Sequence, residues 1–214
     1  MVETPFEVKK YLGHGVHGSV FLVDLQGEDV ALKIMHTPKA DINHSFYVSR
    51  ARNEFGLLEK LSGIQGIPEP IGLLDDIKGT YEELGLDKCG LSWKEVVPRY
   101  IPHMGTGYMT EPYFAGAFLL DSVPDPMSLI SLEPNTLTSQ FFEELAWIYI
   151  QSIGRGIYPG FDAKILVSDH KPFIVDWVFA VDTGKAQKGL EIEYNVESLD
   201  PVRRAMNYHM RDSN

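Results

Sequence analysis

Residues 6 to 35 contain three short, mainly apolar runs that are separated by turns. Three runs, Phe6 to Leu12, Val20 to Leu25 and Val30 to Met35, are rich in β-branched or aromatic residues and end at turns. Runs of this length and composition are typical of short strands. Gln26-Gly27-Glu28-Asp29 separates the last two runs and predicts a hairpin loop. We therefore expect the chain to begin with three consecutive strands.

Two longer stretches repeat their apolar residues at the spacing of amphipathic helices. Residues 41–61 predict one helix, which we expect to stop at Ser62-Gly63. Residues 136–153 carry a wider apolar stripe, and Asn135 or Thr136 is expected to cap this second helix. Asp200-Pro201 predicts the start of a last short helix, because proline is favoured at the first helical position.

Two further strands are predicted, and a long insert separates them. Gly66 to Leu74 predicts a turn and a strand, and Ala115 to Val123 predicts another strand. Residues 75–114 lie between them and are rich in glycine, proline and aromatic residues. The aromatic residues of the insert include Trp93, Tyr100, Tyr108 and Tyr113. Long ordered insertions are often functional, so the insert is either a surface for a protein partner or packing that supports the fold.

The composition is that of an ordinary globular protein with an acidic balance. The chain has 214 residues, a formal net charge of −11 and 44% hydrophobic residues, which allows one core or two small lobes. The acidity argues against nucleic acid as the main partner, because phosphate backbones require a basic face. Cys89 is the single cysteine, which excludes an internal disulfide and fits a reducing cytosol. Because no secretion signal or bilayer-spanning apolar run is present, we expect a cytoplasmic protein without a membrane partner.

A glycine-rich motif and a lysine are the first candidates for chemistry. Gly13, Gly15 and Gly18 have the spacing G-x-G-x-x-G before Val20, and Val30-Ala31-Leu32-Lys33 places a lysine thirteen residues after Val20. Glycine lets the backbone come close to phosphate oxygens because it has no Cβ. A glycine-rich turn alone is also compatible with a plain hairpin. Together the two features resemble the nucleotide-binding edge of the protein-kinase-like superfamily.

The resemblance implies roles for further residues. Glu54 lies in a predicted helix 21 residues after Lys33 and would orient that lysine towards the α- and β-phosphates of ATP; a solvated or surface-paired glutamate is the alternative. Leu120 would take the gatekeeper position, Asp121 would begin the hinge, and the backbone near Val123 would face adenine. Two apolar sets are also implied, an adenine sandwich of Val20, Ala31 and Leu166 and an internal spine of Leu58, Ile157 and Trp177.

The segment from Lys164 to Val178 predicts a strand, a turn and a strand. It resembles the kinase segment that contains the metal-binding aspartate, and this similarity fixes a register. In that register Asp176 would hold the Mg²⁺ that bridges the phosphates, while Trp177 is the adjacent aromatic residue and Val178 replaces a glycine. An aspartate at the end of a buried strand is otherwise a turn former.

The same register shows where the chain departs from kinase chemistry. The His-Arg-Asp positions of the family are occupied by Ile157, Tyr158 and Pro159, and the metal-binding asparagine that follows is replaced by Lys164. Proline cannot accept the proton of a substrate hydroxyl. Lysine cannot ligate Mg²⁺, although its charge can neutralise phosphate. Asp162 is the one nearby carboxylate, and it would either act as the base of a remodelled loop or cap the loop and face solvent.

We therefore expect an α+β chain with the two-lobed fold of protein kinases and a reduced C-lobe. Residues 1–122 would form the N-lobe, including the insert at 75–114, and residues 123–214 the C-lobe, in which the Ala-Pro-Glu motif of the family is missing. The expected function is that of an ATP-binding pseudokinase, with Mg²⁺ as cofactor, acting as a regulator or scaffold with weak or absent phosphotransfer. Two alternatives stay open, an active atypical kinase that uses Asp162 as base and a nucleotide-free module that binds a protein through the insert.

Overall fold

The computed structural model describes seven parts of the chain in detail. These are residues 4–15, 17–37, 44–99, 108–132, 136–158, 163–177 and 180–182. Their contacts divide them into two compact units, one drawn from residues 1–55 and 70–122 and the other from residues 56–69 and 123–214. The predicted helix at Asp200-Pro201 and the candidate base Asp162 lie outside the described residues.

The first unit is built on a five-stranded antiparallel sheet. Its strands follow the spatial order β1-β2-β3-β5-β4, and each neighbouring pair is antiparallel. The strands are β1 (Glu7–His14), β2 (Gly18–Leu25), β3 (Glu28–Thr37), β4 (Pro70–Gly79) and β5 (Tyr113–Asp121). Helix α1 (His44–Leu61) follows β3, and a 3₁₀ turn (Leu86–Cys89) and the short helix α2 (Trp93–Val96) lie between β4 and β5.

The second unit combines one long helix with small antiparallel sheets. Helix α3 (Ser139–Gly154) is its main helix. The strands are β6 (Met127–Ser128), β7 (Ile157–Tyr158), β8 (Lys164–Ser168), β9 (Lys171–Val175) and β10 (Val181–Asp182), paired as β6-β8-β9 and as β10-β7. No described helix is both long and apolar enough to cross a lipid bilayer. The described chain is therefore of the mixed α+β class, as predicted.

The predicted elements are all present where the structure describes them, but several boundaries differ. Helix α3 begins at Ser139, because the side chain of Thr138 accepts a hydrogen bond from the backbone N–H of Phe141 at 3.3 Å and caps the helix there. The expected cap at Asn135 or Thr136 is therefore wrong. Strand β5 runs from Tyr113 to Asp121 and stops two residues earlier than predicted. Because β4 extends to Gly79, the insert between the strands is shorter than predicted and covers residues 80–112.

A bulge in β5 lets helix α1 lie directly against the sheet. Gly116 has a φ of 76°, and the pairing of β3 with β5 shifts its register between Ile34 and His36. A Cβ atom at Gly116 would lie 2.8 Å from the Cα of Val48 in α1. Both the backbone conformation and the close approach therefore require glycine at this position.

The described part of the insert packs into the core of the first unit. Five of its side chains are buried in the same hydrophobic cluster as the sheet residues: Tyr81, Leu84, Leu86, Val96 and Val97. The hydroxyl of Ser19 in β2 donates a buried hydrogen bond of 2.6 Å to the carbonyl of Val96. Trp93 and Tyr108 are partly buried against the same cluster. The insert thus covers apolar sheet residues that solvent would otherwise reach.

The turn after α1 belongs to the second unit and is held by α3 and β9. Gly66, with a φ of 89°, accepts a hydrogen bond of 2.8 Å from the N–H of Ile174. Arg155, which follows α3, donates from Nη1 to the carbonyls of Lys60 and Ser62 at 2.9 and 2.6 Å. These two carbonyls lie at the C-terminal end of α1, where the helix itself provides no N–H groups to donate to them.

Candidate functional site

The first unit brings Lys33 and Glu54 together in a buried ion pair. Lys33 lies in the middle of β3, opposite Val20 of β2 and Phe118 of β5. Its Nζ is 2.6 Å from Oε1 of Glu54, which α1 supplies. The two residues are only 8% and 2% exposed. Of the expected arrangements, this pairing within the candidate site is the one that the structure shows as a direct contact.

The aromatic side chain of Phe118, for which the sequence contains no signal, also lies near Lys33. The Nζ of Lys33 lies 6.0 Å from the centroid of the Phe118 ring, within the range of a cation–π contact. Phe55 of α1 packs on the same ring with a centroid distance of 6.1 Å. The position of Phe118 depends on the register between β3 and β5, which no local sequence signal specifies.

The pair is unusual energetically because both charges are removed from water. Desolvation of a lysine and a carboxylate costs several kcal/mol for each ion, and their attraction roughly offsets it when the geometry is good. An apolar pair of similar volume would be about as stable at this position. Stability alone therefore does not explain the ion pair. What the pair does achieve is to hold one cation at a fixed place in the sheet.

The glycine-rich motif forms a tight turn between β1 and β2. Gly13 lies in β1 opposite Val20, and Gly18 begins β2. The N–H of Gly15 donates to the carbonyl of Gly18 at 2.8 Å and closes the turn. A Cβ atom at Gly18 would lie 3.0 Å from the carbonyl oxygen of Ile34, so this glycine permits the close pairing of β2 with β3.

A buried histidine joins the base of this turn to the insert. The N–H of His36, in β3, donates to the carbonyl of His17 at 3.1 Å, and its Nδ1 shares a hydrogen bond with the hydroxyl of Tyr108. Burial, followed by the nearby imidazoles of His14 and His17, lowers the pKa of His36 to about 3. His36 is therefore neutral at physiological pH. The sequence contained no signal for this contact, which spans 72 positions of the chain.

The remaining candidates of the first unit lie on β2, β3 and β5. Val20 is partly exposed, whereas Ala31 is buried between Leu22 and Leu120 in the strand register. Asp121 is the last residue of β5 and is exposed. Ser122 follows it and donates from Oγ to the carbonyl of Asp29 at 3.1 Å.

In the second unit Asp176 has a backbone conformation that few residues adopt. It follows β9 directly and has a φ of 70°, in the left-handed region that aspartate tolerates better than most residues. Conformations of this kind concentrate at functional sites. Lys164 begins β8 opposite Val175 and is exposed. Both candidates therefore lie at the same end of the β8-β9 hairpin.

The other candidates in the second unit are apolar or lie outside the described residues. Leu166 and Val123 are partly exposed. The three residues of the expected spine, Leu58, Ile157 and Trp177, are each almost completely buried. Ile157 and Tyr158 form the short strand β7. Pro159 and Asp162 are not among the residues that the structure describes.

The donor set in the second unit is small. In the described part of the chain, no three histidine, cysteine, aspartate or glutamate side chains form a group able to hold a metal ion. At nucleotide sites Mg²⁺ is usually held by one or two carboxylates together with phosphate oxygens. Asp176 has the chemistry for such a partial site.

No protein-family model and no curated protein matches this chain at a significant level.

Proposed function

We propose that the chain is a kinase-like protein that binds ATP and acts as a regulator or scaffold without efficient phosphotransfer. The buried ion pair between Lys33 and Glu54 is the observation that carries this proposal. A lysine fixed by a helix glutamate is a phosphate ligand in the kinase-like family that the sequence resembles. A buried pair is also poorly explained by stability alone.

Two further features support the proposal. The glycine-rich turn and Lys33 share the sheet of the first unit, since Val20 pairs directly with Lys33 in the strand register. Asp176 combines a left-handed backbone conformation, of a kind that is concentrated at functional sites, with a carboxylate, the usual protein ligand of nucleotide-bound Mg²⁺. Lys33 would contact phosphate, Glu54 would orient it and Asp176 would hold the metal. Bound Mg²⁺ would neutralise phosphate charge.

The substitutions at the catalytic positions favour binding over turnover. Pro159 has no side chain that accepts a proton, and Lys164 has no ligand atom for Mg²⁺. An active kinase would have to use Asp162, and a radiolabel transfer assay with Asp162→Asn separates the two functions. Transfer that disappears in that variant would replace the proposal with an active atypical kinase.

Thermal unfolding with ATP, with and without Mg²⁺, tests the proposal. ATP at about 100 times its Kd would stabilise the chain by about 2.7 kcal/mol, which corresponds to a rise in Tm of about 5–10 °C. We expect the rise to be larger with Mg²⁺, and the Mg²⁺-dependent part to be lost in Asp176→Asn. The variant Asp169→Asn, at the exposed turn between β8 and β9, is the matched control. No rise in Tm with ATP under either condition would refute the proposal and favour the protein-binding alternative.

A further inference from the structure

A partly open groove lies in the second unit, between α3, β9 and the turn that follows α1. Its cavity volume is about 270 Å³. The apolar part of its lining comes from Trp147, Ile148, Pro172 and Phe173. We call it the α3 groove. None of the candidate residues for nucleotide binding lines it, so the groove is separate from those residues.

Trp147 is the residue that makes the groove unusual. It is 60% exposed although it lies on the main helix of the unit. Tryptophan is enriched among the residues that dominate binding energy at protein interfaces. The neighbouring floor is already ordered, since Ile148 and Pro172 are buried. A partner side chain would therefore bind to a largely formed apolar surface.

The size of the groove limits its occupant. Small-molecule sites usually have volumes of about 300–1,000 Å³, and the α3 groove is slightly below that range. A volume of this size fits one or two large side chains. Peptides bind folded domains in this way, with a few apolar side chains inserted into a groove.

The charges around the groove define the chemistry of the occupant. Glu143 and Glu144 of α3 line it together with one cation, Lys171 of β9. Glu144 accepts a hydrogen bond from Gln140, whereas no described residue forms an ion pair with the exposed carboxylate of Glu143. An acidic edge beside an apolar floor attracts arginine or lysine and repels acidic segments.

From these observations we propose that the α3 groove binds a peptide segment of a partner protein, in which a bulky apolar side chain lies next to arginine or lysine. The apolar side chain would pack on Trp147, and the basic side chain would pair with Glu143. This inference is independent of nucleotide binding, but it gives the proposed regulator or scaffold a defined contact surface.

Selection of a random peptide library, displayed on phage, against the folded full chain tests the proposal. Enriched peptides are expected to combine an aromatic or large aliphatic residue with adjacent arginine or lysine. In fluorescence anisotropy titrations, their synthetic forms should bind about tenfold or more weakly to Trp147→Ala and to Glu143→Lys. Both replaced side chains are exposed, so thermal unfolding should show that the variants remain folded.

Two matched variants control for general effects. Ile150→Ala removes a side chain of α3 that is 57% exposed but does not line the groove. Glu59→Lys reverses an exposed charge of α1 that does not line it either. Both should bind the selected peptides like the wild type. The proposal is overturned if no peptide is enriched, if enriched peptides lack basic residues, or if Trp147→Ala and Glu143→Lys bind them unchanged. It is also overturned if a peptide of residues 199–211 of this chain binds more tightly, because the occupant would then be the chain itself.

Discussion

Lys33 and Glu54 form an ion pair whose partners are both nearly inaccessible to water. Each charge depends on the other, because the attraction between them offsets much of the cost of removing both from water. The backbone of β3 fixes the lysine and α1 fixes the glutamate. The pair is therefore sensitive to substitution of either residue alone and tolerant of replacing both.

A double-mutant cycle at this pair should show strong coupling. We expect Lys33→Met to lower the free energy of unfolding by about 3–5 kcal/mol, because it removes the cation that offsets the desolvation of the buried Glu54 carboxylate. The double variant Lys33→Met/Glu54→Gln should recover most of that loss, since both groups are then neutral and similar in size. Urea unfolding of the single and double variants measures the effect. A loss in the double variant equal to the sum of the losses in Lys33→Met and Glu54→Gln would show that the two residues are not coupled.

His36 should make the stability of the first unit depend on pH. Its pKa is about 3 in the folded chain and about 6.5 when unfolded, so the unfolded chain takes up a proton first as the pH falls. The contribution of His36 to the free energy of unfolding is fully present above pH 6.5 and is lost as the pH falls from 6.5 to 3. Between pH 7 and pH 5 the loss should be about 2 kcal/mol.

The variant His36→Asn isolates this effect, because asparagine can still meet the hydroxyl of Tyr108 and does not titrate. Urea unfolding at pH 7 and at pH 5 measures the effect. Between these pH values the free energy of unfolding should fall by about 2 kcal/mol less in the variant than in the wild type. Other titrating groups contribute equally to both proteins. An identical pH dependence would mean that the pKa of His36 is the same in the folded and unfolded states.

At the scale of elements, the position of α1 on the sheet depends on Gly116. Gly116, in the bulge of β5, has no side chain where the helix backbone lies close: an added Cβ would be 2.8 Å from the Cα of Val48. The same helix carries Glu54 to Lys33. The geometry of the candidate site therefore depends on how close α1 lies to β5.

Gly116→Ala should destabilise the chain and weaken nucleotide binding together. We expect a loss of about 2–4 kcal/mol, from the strained backbone and the displaced helix. Gly63→Ala is the matched control, because Gly63 also has a positive φ, 81°, but has open space around it. It should lose only about 1 kcal/mol. Urea unfolding compares the two variants, and equal losses would mean that the contact with Val48 does not hold the helix.

The insert acts as a structural element of the first unit. Leu86 is fully buried in the cluster that it shares with the sheet, whereas Met109 is 87% exposed. We expect Leu86→Ala to lower the free energy of unfolding by about 2–5 kcal/mol and Met109→Ala to leave it almost unchanged. Thermal and urea unfolding measure both. A small effect of Leu86→Ala would indicate that the insert does not support the fold, and would favour the alternative that it is a surface for a protein partner.

At the scale of the whole chain, local signals predicted the elements better than their contacts. The strands follow from apolar runs that end at turns, α1 and α3 follow from helical periodicity, and the contact between Lys33 and Glu54 is expected from the family resemblance. The cap at Thr138 was missed because Thr136 has the same chemistry two residues earlier. The bulge at Gly116 and the burial of Leu86 depend on partners far along the chain, which the pattern of a single segment does not contain.

The division into two units explains why the candidate residues separate into two groups. The glycine-rich turn, Lys33 and Glu54 belong to the first unit, and Asp176 and Lys164 belong to the second. Each group has a recognisable local geometry, a buried ion pair in one and a strained aspartate in the other. The proposed function assigns a role in nucleotide binding to residues of each group.

Isothermal titration calorimetry of ATP into the wild type and into Lys33→Met/Glu54→Gln tests this account most directly. The double variant removes both charges without leaving either one unpaired, and Lys78→Met, at an exposed position of β4, is the control. We predict that the wild type and the control bind ATP with the same Kd, and that the double variant binds it about tenfold to a hundredfold more weakly. Equal affinity in all three proteins, or no binding by the folded wild type, would contradict the account.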